Sequence, residues 1–317
     1  MARLPREFDL IARHFRPLAG PGALALADDA AVIAPPPGQE LILTADAMVA
    51  GVHFLPDDPP NLIARKLLRV NLSDLAAKGA SPVGYLLTLS APRDTPDQWF
   101  GAFAEGLAQD QAAFGLSLLG GDTTSTPGPI SLSLMALGQA ARGQAVRRAG
   151  AQPGDGIWVT GTIGDGALGL RVAQGQLQDP SGYLLNRYRL PQPRLGLRIA
   201  GIASACMDIS DGLIQDLDHL CRASGLGAEI ACQLVPLSDA ARRAGPEWLP
   251  TCLTGGDDYE LLLAVSPERE AALGRESARA AIPLTRIGRF QAGTPEVAVI
   301  GVDHSVLARG SGGWSHF

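Results

Sequence analysis

One turn pattern recurs along the chain and limits what it can fold into: an apolar run, then an aspartate flanked by small residues. It appears as LADDAAV (26–32), LTADAM (43–48), LLGGDTT (118–124), CMDISDG (206–212) and LTGGDDYE (253–260), and NLSDLAAKG (71–79) adds an aspartate within a helical segment. Apolar runs that break into Asp and Gly read as strands leaving a sheet. In the first half these are LILTAD (41–46), YLLTLS (85–90), LSLLGGD (116–122) and ISLSLMALG (130–138). Between them, residues 59–80 place Leu62, Ile63, Leu67 and Val70 at helical spacing with Gly79 as a stop. Residues 96–115 set Trp99, Phe103, Leu107 and Phe114 roughly on one face, with Gly115 past the end. That aromatic stripe reads as core, and Phe114 at its edge as core or as a ligand contact. Strands alternating with helices predict an α/β (α+β) chain.

At 317 residues the chain is long for one core and comfortable for two. The pattern dissolves into Gly, Pro and Arg over GQAARGQAVRRAGAQPGDG (138–156), which places a boundary between domains 1–142 and 143–317. Strand and helix signals then resume with IWVTG (157–161), the TIGDG turn and a helix, SDGLIQDLDHLCRASG (210–225) and ELLLAV (260–265). The net charge of −6 without a basic run argues against a nucleic-acid partner. No apolar stretch is long enough to span a membrane, and the charged, amphipathic start MARLPREFDLIARHFRP lacks a signal-peptide core. Cys206, Cys221, Cys232 and Cys252 show no CxxC spacing and read as free or buried thiols of a cytoplasmic protein.

Taken singly, each acidic turn is ordinary capping and turn chemistry. Six together are different, because carboxylates gathered without cations repel and raise one another's pKa. Strands ending in carboxylates at one sheet edge make a ligand site, and hard oxygen donors at several positions suit Mg²⁺ and bound phosphate. Asp208 and Asp211, three apart at a strand-to-helix turn, fit that role. No GxxxxGK[ST] loop is present, which excludes a P-loop kinase. GTIGDG (161–166) reads as a tight turn or, less simply, as a phosphate cradle. No Ser-His-Asp or Cys-His set is visible, and His53, downstream of Asp46, is the histidine best placed to touch a ligand.

The motifs together resemble the thiamine-monophosphate kinase family of the aminoimidazole ribonucleotide synthetase-like superfamily. The likeness runs through EFDLIARHF, DDAAV, TADAMVAGVHF, VNLSDLAAKGA, GGDTT, RRAGAQPGD, VTGTIGDGALGL, DISDGL, GGDDYELL and the terminal GGWSHF. The resemblance implies a two-domain fold, with an N-terminal mixed sheet forming the core of a homodimer and a C-terminal α/β domain completing the site. It implies ATP-dependent phosphorylation of thiamine monophosphate to thiamine diphosphate with several Mg²⁺ ions. Carried over by motif, Asp29, Asp46, Asp74, Asp122, Asp208 and Asp211 are metal carboxylates, with Thr44 and the Ala45 carbonyl completing the shell. Gly121, Asp122, Arg148 and Ser210 are ATP contacts, and His53, Asp257 and Trp314 thiamine-phosphate contacts. Asp46, Asp122, Asp208 and Asp211 act in catalysis through the metals.

Three departures from the family pattern matter. Thr44-Ala45-Asp46 replaces Ser-Thr-Asp, which leaves only a backbone ligand at 45. GGDDYE replaces GGEDYE, which shortens residue 257 by one methylene. Arg148-Ala149-Gly150-Ala151 replaces Arg-Ser-Gly-Ala and keeps the arginine. Among rivals, a selenophosphate synthetase needs a reactive Cys near its start and a hydrogenase maturation dehydratase a Cys-terminated tail; neither is present. Aminoimidazole ribonucleotide synthetase is opposed by VNLSDLAAKGA and the WSHF ending. A non-catalytic nucleotide-binding module is opposed by the retained carboxylates.

Overall fold

The computed structural model describes residues 6–309. By contact topology the chain forms two units. One comprises Met1–Leu75 and Ala80–Gly143, the other Ala76–Gly79 and Gln144–Phe317. Their elements follow in chain order.

The first unit opens with a short helix α1 (Arg6–Leu10) and irregular helical turns to Leu26, then β1 (Gln39–Val49). Helix α2 (Pro60–Ala77), β2 (Ser81–Ala91), α3 (Asp97–Phe114), β3 (Ser117–Ser125) and β4 (Ser131–Ala141) complete it. The strands form one sheet in the order β1-β4-β2-β3, with β2 and β3 parallel and the other pairs antiparallel. Alternation in β4 buries Leu132, Leu134 and Ala136 and leaves Ser133 and Met135 exposed, so one face of the sheet is covered and the other open. Helix α3 stops at Gly115, whose φ of 71° is left-handed and closes the last turn onto Gln111. Helices α2 and α3 meet at Gly106, where a Cβ would stand 2.2 Å from the Asn61 carbonyl oxygen. The buried Asp110 carboxylate accepts from Arg65 and Arg69, tying the two helices together. The Arg69 guanidinium lies 5.4 Å from the centre of the Phe114 ring, which accounts for that aromatic as helix packing.

The second unit continues with β5 (Gly156–Thr160), α4 (Asp165–Ala173), α5 (Tyr183–Arg189), β6 (Ala203–Asp208) and α6 (Leu213–Ser224). Next come β7 (Gly227–Ala231), α7 (Asp239–Ala244), α8 (Leu249–Thr254), β8 (Leu261–Val265) and α9 (Glu270–Ala280). It ends with β9 (Leu284–Gln291), β10 (Val297–Ile300) and β11 (Val306–Arg309). Its seven-stranded mixed sheet runs β11-β10-β7-β9-β5-β8-β6. Ile157, Met207, Leu217, Leu262 and Phe290 belong to one buried core, while Cys206, Leu261, Leu263, Val265 and Leu273 belong to a second. All five residues of β8 are buried, which is why ELLLAV carries no polar alternation. The four cysteines are free and buried. No helix among the described residues is long and apolar enough to cross a membrane.

Candidate active site

In the first unit the acidic residues fall into two places. The expectation that they end their strands at one sheet edge does not hold. Strand β1 runs three residues past Asp46 and β3 three past Asp122, because the residues that follow stay paired with the neighbouring strand. Asp46 pairs across the sheet with Leu134, and Leu134 with Leu87, so Asp46 and Thr44 share the covered face. There the Thr44 hydroxyl donates to Asp74 Oδ2 of α2, at 2.5 Å. Burial, reinforced by the nearby Asp74, pushes the Asp46 carboxyl up to about 7. Ala45, on the opposite face, offers only its backbone.

Asp122 pairs instead with Thr88, and Thr88 with Ser133, on the open face. Asp28, Asp29, Gly121 and Asp122 line a cavity of about 680 Å³ with Ile11, Leu26 and other apolar residues. Gly121 is obligatory there: its φ is 156°, and a Cβ would stand 1.8 Å from the Leu87 carbonyl oxygen. His53 sits in the turn after β1. Its Nδ1 accepts the Val49 amide at 3.1 Å, and its carbonyl accepts from the buried Lys66 at 3.2 Å.

In the second unit, DISDG and GGDDYE form one structure. The Asp257 amide donates to the Ser210 carbonyl, the Tyr259 amide to Ile209, and the Ile209 amide to Glu260. The loops touch backbone to backbone: a Cβ on Gly256 would lie 2.0 Å from the Ser210 oxygen, and one on Gly212 2.5 Å from the Thr254 oxygen. Asp208, buried, ends β6 opposite Leu261. Asp257 and Tyr259 are held at φ of 71° and 53°, a left-handed region that costs non-glycine residues energy. Arg148 is exposed just after Arg147, whose carbonyl accepts the Cys206 amide. Trp314 lies outside the described residues.

Several supporting residues carry no sequence signal of their own. Asp216, on the first turn of α6, accepts the Asp211 and Gly212 amides at 3.0 Å each, while its buried Oδ1 has no hydrogen-bond partner. Burial, with Asp211 beside it, raises that carboxyl to about 7. One oxygen from each of Asp211 and Asp216 and a ring nitrogen of His219 lie within 4.8 Å of one another. Asp258 is wholly buried, its carboxyl pushed well up by burial; it accepts the Gly164 and Gly166 amides at 2.6 and 3.0 Å. With the Ile163 amide bound to Pro236, the GTIGDG amides at 163, 164 and 166 are spent inside the protein, so the loop is a turn rather than a phosphate cradle. Glu260, also buried, accepts from Thr160, Arg187 and Arg194.

The AIR synthase related protein N-terminal domain model matches residues 27–140, and the C-terminal domain model residues 152–301. Thiamine-monophosphate kinase of Caulobacter vibrioides is 46% identical over 299 residues, spanning 91% of this chain and 85% of that protein. The chain belongs to the thiamine-monophosphate kinase family. The crystal structure of thiamine-monophosphate kinase from Stenotrophomonas maltophilia superposes with a TM-score of 0.80 at 40% identity, covering 89% of this chain and 90% of that one. AaThiL complexed with AMPPCP and TMP gives 0.78 at 31% identity, covering 92% and 91%. Both family domains are present, with the mixed α/β architecture that the resemblance implied. Asp257 sits on a backbone pinned by the Ser210 carbonyl.

Proposed function

We propose that the chain phosphorylates thiamine monophosphate with ATP, giving thiamine diphosphate and ADP. The observation that carries this reading is the end-to-end likeness to a kinase seen with both AMPPCP and TMP bound. The γ-phosphoryl group leaves the β-phosphate oxygen of ATP and joins a phosphate oxygen of thiamine monophosphate, by direct in-line transfer. That acceptor has a second pKa of about 6 and is largely ionised at neutral pH, so no general base is needed. This agrees with the absence of a catalytic histidine or lysine among the candidate residues.

Two anions must meet, so the protein's task is positioning and charge compensation. The donor set fits Mg²⁺: Asp29, Asp46, Asp74, Asp122, Asp208 and Asp211 with Thr44 and the Ala45 carbonyl are all hard oxygens, and burial, with Asp74 nearby, opposes ionisation of Asp46 in the absence of a cation. Bound Mg²⁺ supplies the charge that lets the two phosphate groups approach. Gly121, Arg148 and Ser210 hold ATP, and Arg148 adds a fixed positive charge. His53, whose Nδ1 accepts the Val49 amide, contacts the thiamine phosphate. Asp257 faces the cationic thiamine, and Trp314 stacks on it. The residues before the Gly-rich boundary bind ATP and metal and form the homodimer, and those after it complete the site. A cytoplasmic location belongs to the same reading and is supported by four unpaired thiols.

ADP release is measured with ATP, Mg²⁺ and thiamine monophosphate, beside thiamine and formylglycinamidine ribonucleotide as controls. Release only with thiamine monophosphate is expected. Release with the ribonucleotide in its place refutes the reading. Asp208→Ala should fold and turn over little substrate; near wild-type turnover removes Asp208 from the metal set.

A further inference from the structure

We propose that Asp211, Asp216 and His219 form a site for a divalent transition-metal ion such as Zn²⁺, and that filling it inhibits the kinase by taking Asp211 from the magnesium set. The inhibition rests on the metal-dependent reading above; the site itself rests on the second unit alone.

One oxygen of each carboxylate and a ring nitrogen of His219 lie within 4.8 Å of one another, and among the described residues no other three such groups converge. Asp216 and His219 are three apart on α6, so they stand one above the other on one helix face. Asp211 reaches the same place from the turn before the helix, where its own amide and that of Gly212 donate to Asp216 Oδ2 at 3.0 Å. Those two bonds occupy one oxygen of Asp216. The other, Oδ1, is buried and has no hydrogen-bond partner. The residue is 1% exposed, and an acceptor buried without a partner costs free energy that a cation would remove. No side chain supplies that cation. Asp218, on the same helix, pairs with Arg222 at 2.6 Å, whereas the Asp216 carboxylate accepts only backbone amides.

The donor types select the ion. Mg²⁺ takes oxygen ligands and keeps several waters, whereas an imidazole nitrogen beside two carboxylates suits Zn²⁺ and its neighbours in the first transition row. Zinc holds such donors at about 2.0–2.2 Å in a tetrahedron, so its ligands stand about 3.4 Å apart. Asp211 and His219 are only half-buried, and rotation of their side chains closes the three donors to that spacing without moving the helix. Three protein ligands leave the fourth position to water or to a phosphate oxygen. Gln215 Nε2 donates to Asp211 Oδ2 at 3.2 Å and holds that carboxylate to the first turn of α6. With one oxygen on zinc and the other on Gln215, Asp211 has neither left for magnesium, so the two metals compete for one side chain.

Zinc chloride is titrated into the full chain by calorimetry with magnesium in excess, and ADP release is followed over the same zinc range. The wild type should bind one zinc ion per chain and lose activity as it does so, and more magnesium should restore the rate. His219→Ala should weaken zinc binding by at least about tenfold, the loss that even an outer-shell partner of a zinc ligand causes. It should also keep its own zinc-free rate over the range that silences the wild type. Zinc binds ATP as well, but equally in both assays, so the difference between the two proteins isolates the site. Asp216→Asn, with its fold checked by a melting curve, should weaken zinc binding too. Equal zinc affinity in the wild type and His219→Ala, or no zinc binding at all, overturns the proposal, while magnesium-dependent ADP release leaves the kinase reading standing. Binding that depends on His219 without loss of activity overturns the inhibition and removes Asp211 from the magnesium set. Failure of the zinc-free protein to release ADP refutes the kinase reading and the inhibition with it, and leaves the calorimetry to decide the site.

Discussion

Asp46→Asn should stabilise the metal-free protein, and the gain should depend on pH. An ordinary aspartate ionises near about 3.9, whereas in the fold burial and Asp74 push Asp46 up to about 7. The fold therefore resists the charged form. The native state carries no penalty below about pH 4, accumulates one as pH rises, and bears all of it above about 7. Each pH unit between the two values is worth about 1.4 kcal/mol. The full cost is then about 4 kcal/mol, of which about 3 kcal/mol appears between pH 5 and pH 8. Asparagine has no proton to lose and escapes this cost while keeping the shape. At about 2–4 °C per kcal/mol, the melting-temperature gap between variant and wild type should widen by about 6–12 °C from pH 5 to pH 8. Thermal unfolding with a chelator present, read on the transition of the first unit, measures it. The Asp216 carboxyl is also raised to about 7, but it is present in both proteins and drops out of the difference. Magnesium at pH 8 should raise the wild-type melting temperature more than that of the variant, since the ion favours the charged pair. A gap of equal size at both pH values refutes the burial argument.

Three further outcomes follow from the second unit. Arg187→Met leaves the buried Glu260 carboxylate short of a cation and should cost about 3–5 kcal/mol in urea unfolding; a cost under about 1 kcal/mol means Arg194 and Thr160 suffice. Asp257→Gly relieves a left-handed backbone at φ 71° and should gain about 1 kcal/mol of stability while weakening thiamine monophosphate binding; unchanged affinity in calorimetry removes Asp257 from the substrate site. Trp314→Ala should weaken thiamine monophosphate binding by about 0.5–2 kcal/mol with little effect on ATP, and equal losses for both ligands exclude stacking on the thiamine ring.

The elements were legible because local signals and tertiary needs agree. Periodicity placed α2 and α3, and Gly79 and Gly115 mark their ends with φ of 69° and 71°. The apolar run ELLLAV read as a strand, and it lies inside the sheet between β5 and β6. The supporting network was not legible, because its residues are ordinary one at a time. Asp216 is a helix-surface carboxylate by pattern, yet it turns inward to accept two amides of the preceding turn. In GGDDYE two adjacent aspartates look alike. Alternation sends Asp258 inward to the GTIGDG turn, and Asp257 is left on a strained backbone beside Ser210. A run of polar residues leading directly into an apolar strand was the one signal that could have exposed this division of labour.

The misjudged part of the candidate site has a single physical origin. An aspartate beside small residues signals a strand's end only when the chain then turns, and in β1 and β3 it does not. Ala47 and Met48 continue the alternation after Asp46, and Thr123 to Ser125 stay paired with β2 after Asp122. Once a strand continues, each side chain is committed to a face by parity, and the register of the neighbouring strands fixes which face. Asp46 and Asp122 received opposite faces from that rule, through Leu134 and Thr88 respectively. Two local choices of parity, invisible in either motif, therefore set these two carboxylates on opposite faces of one sheet.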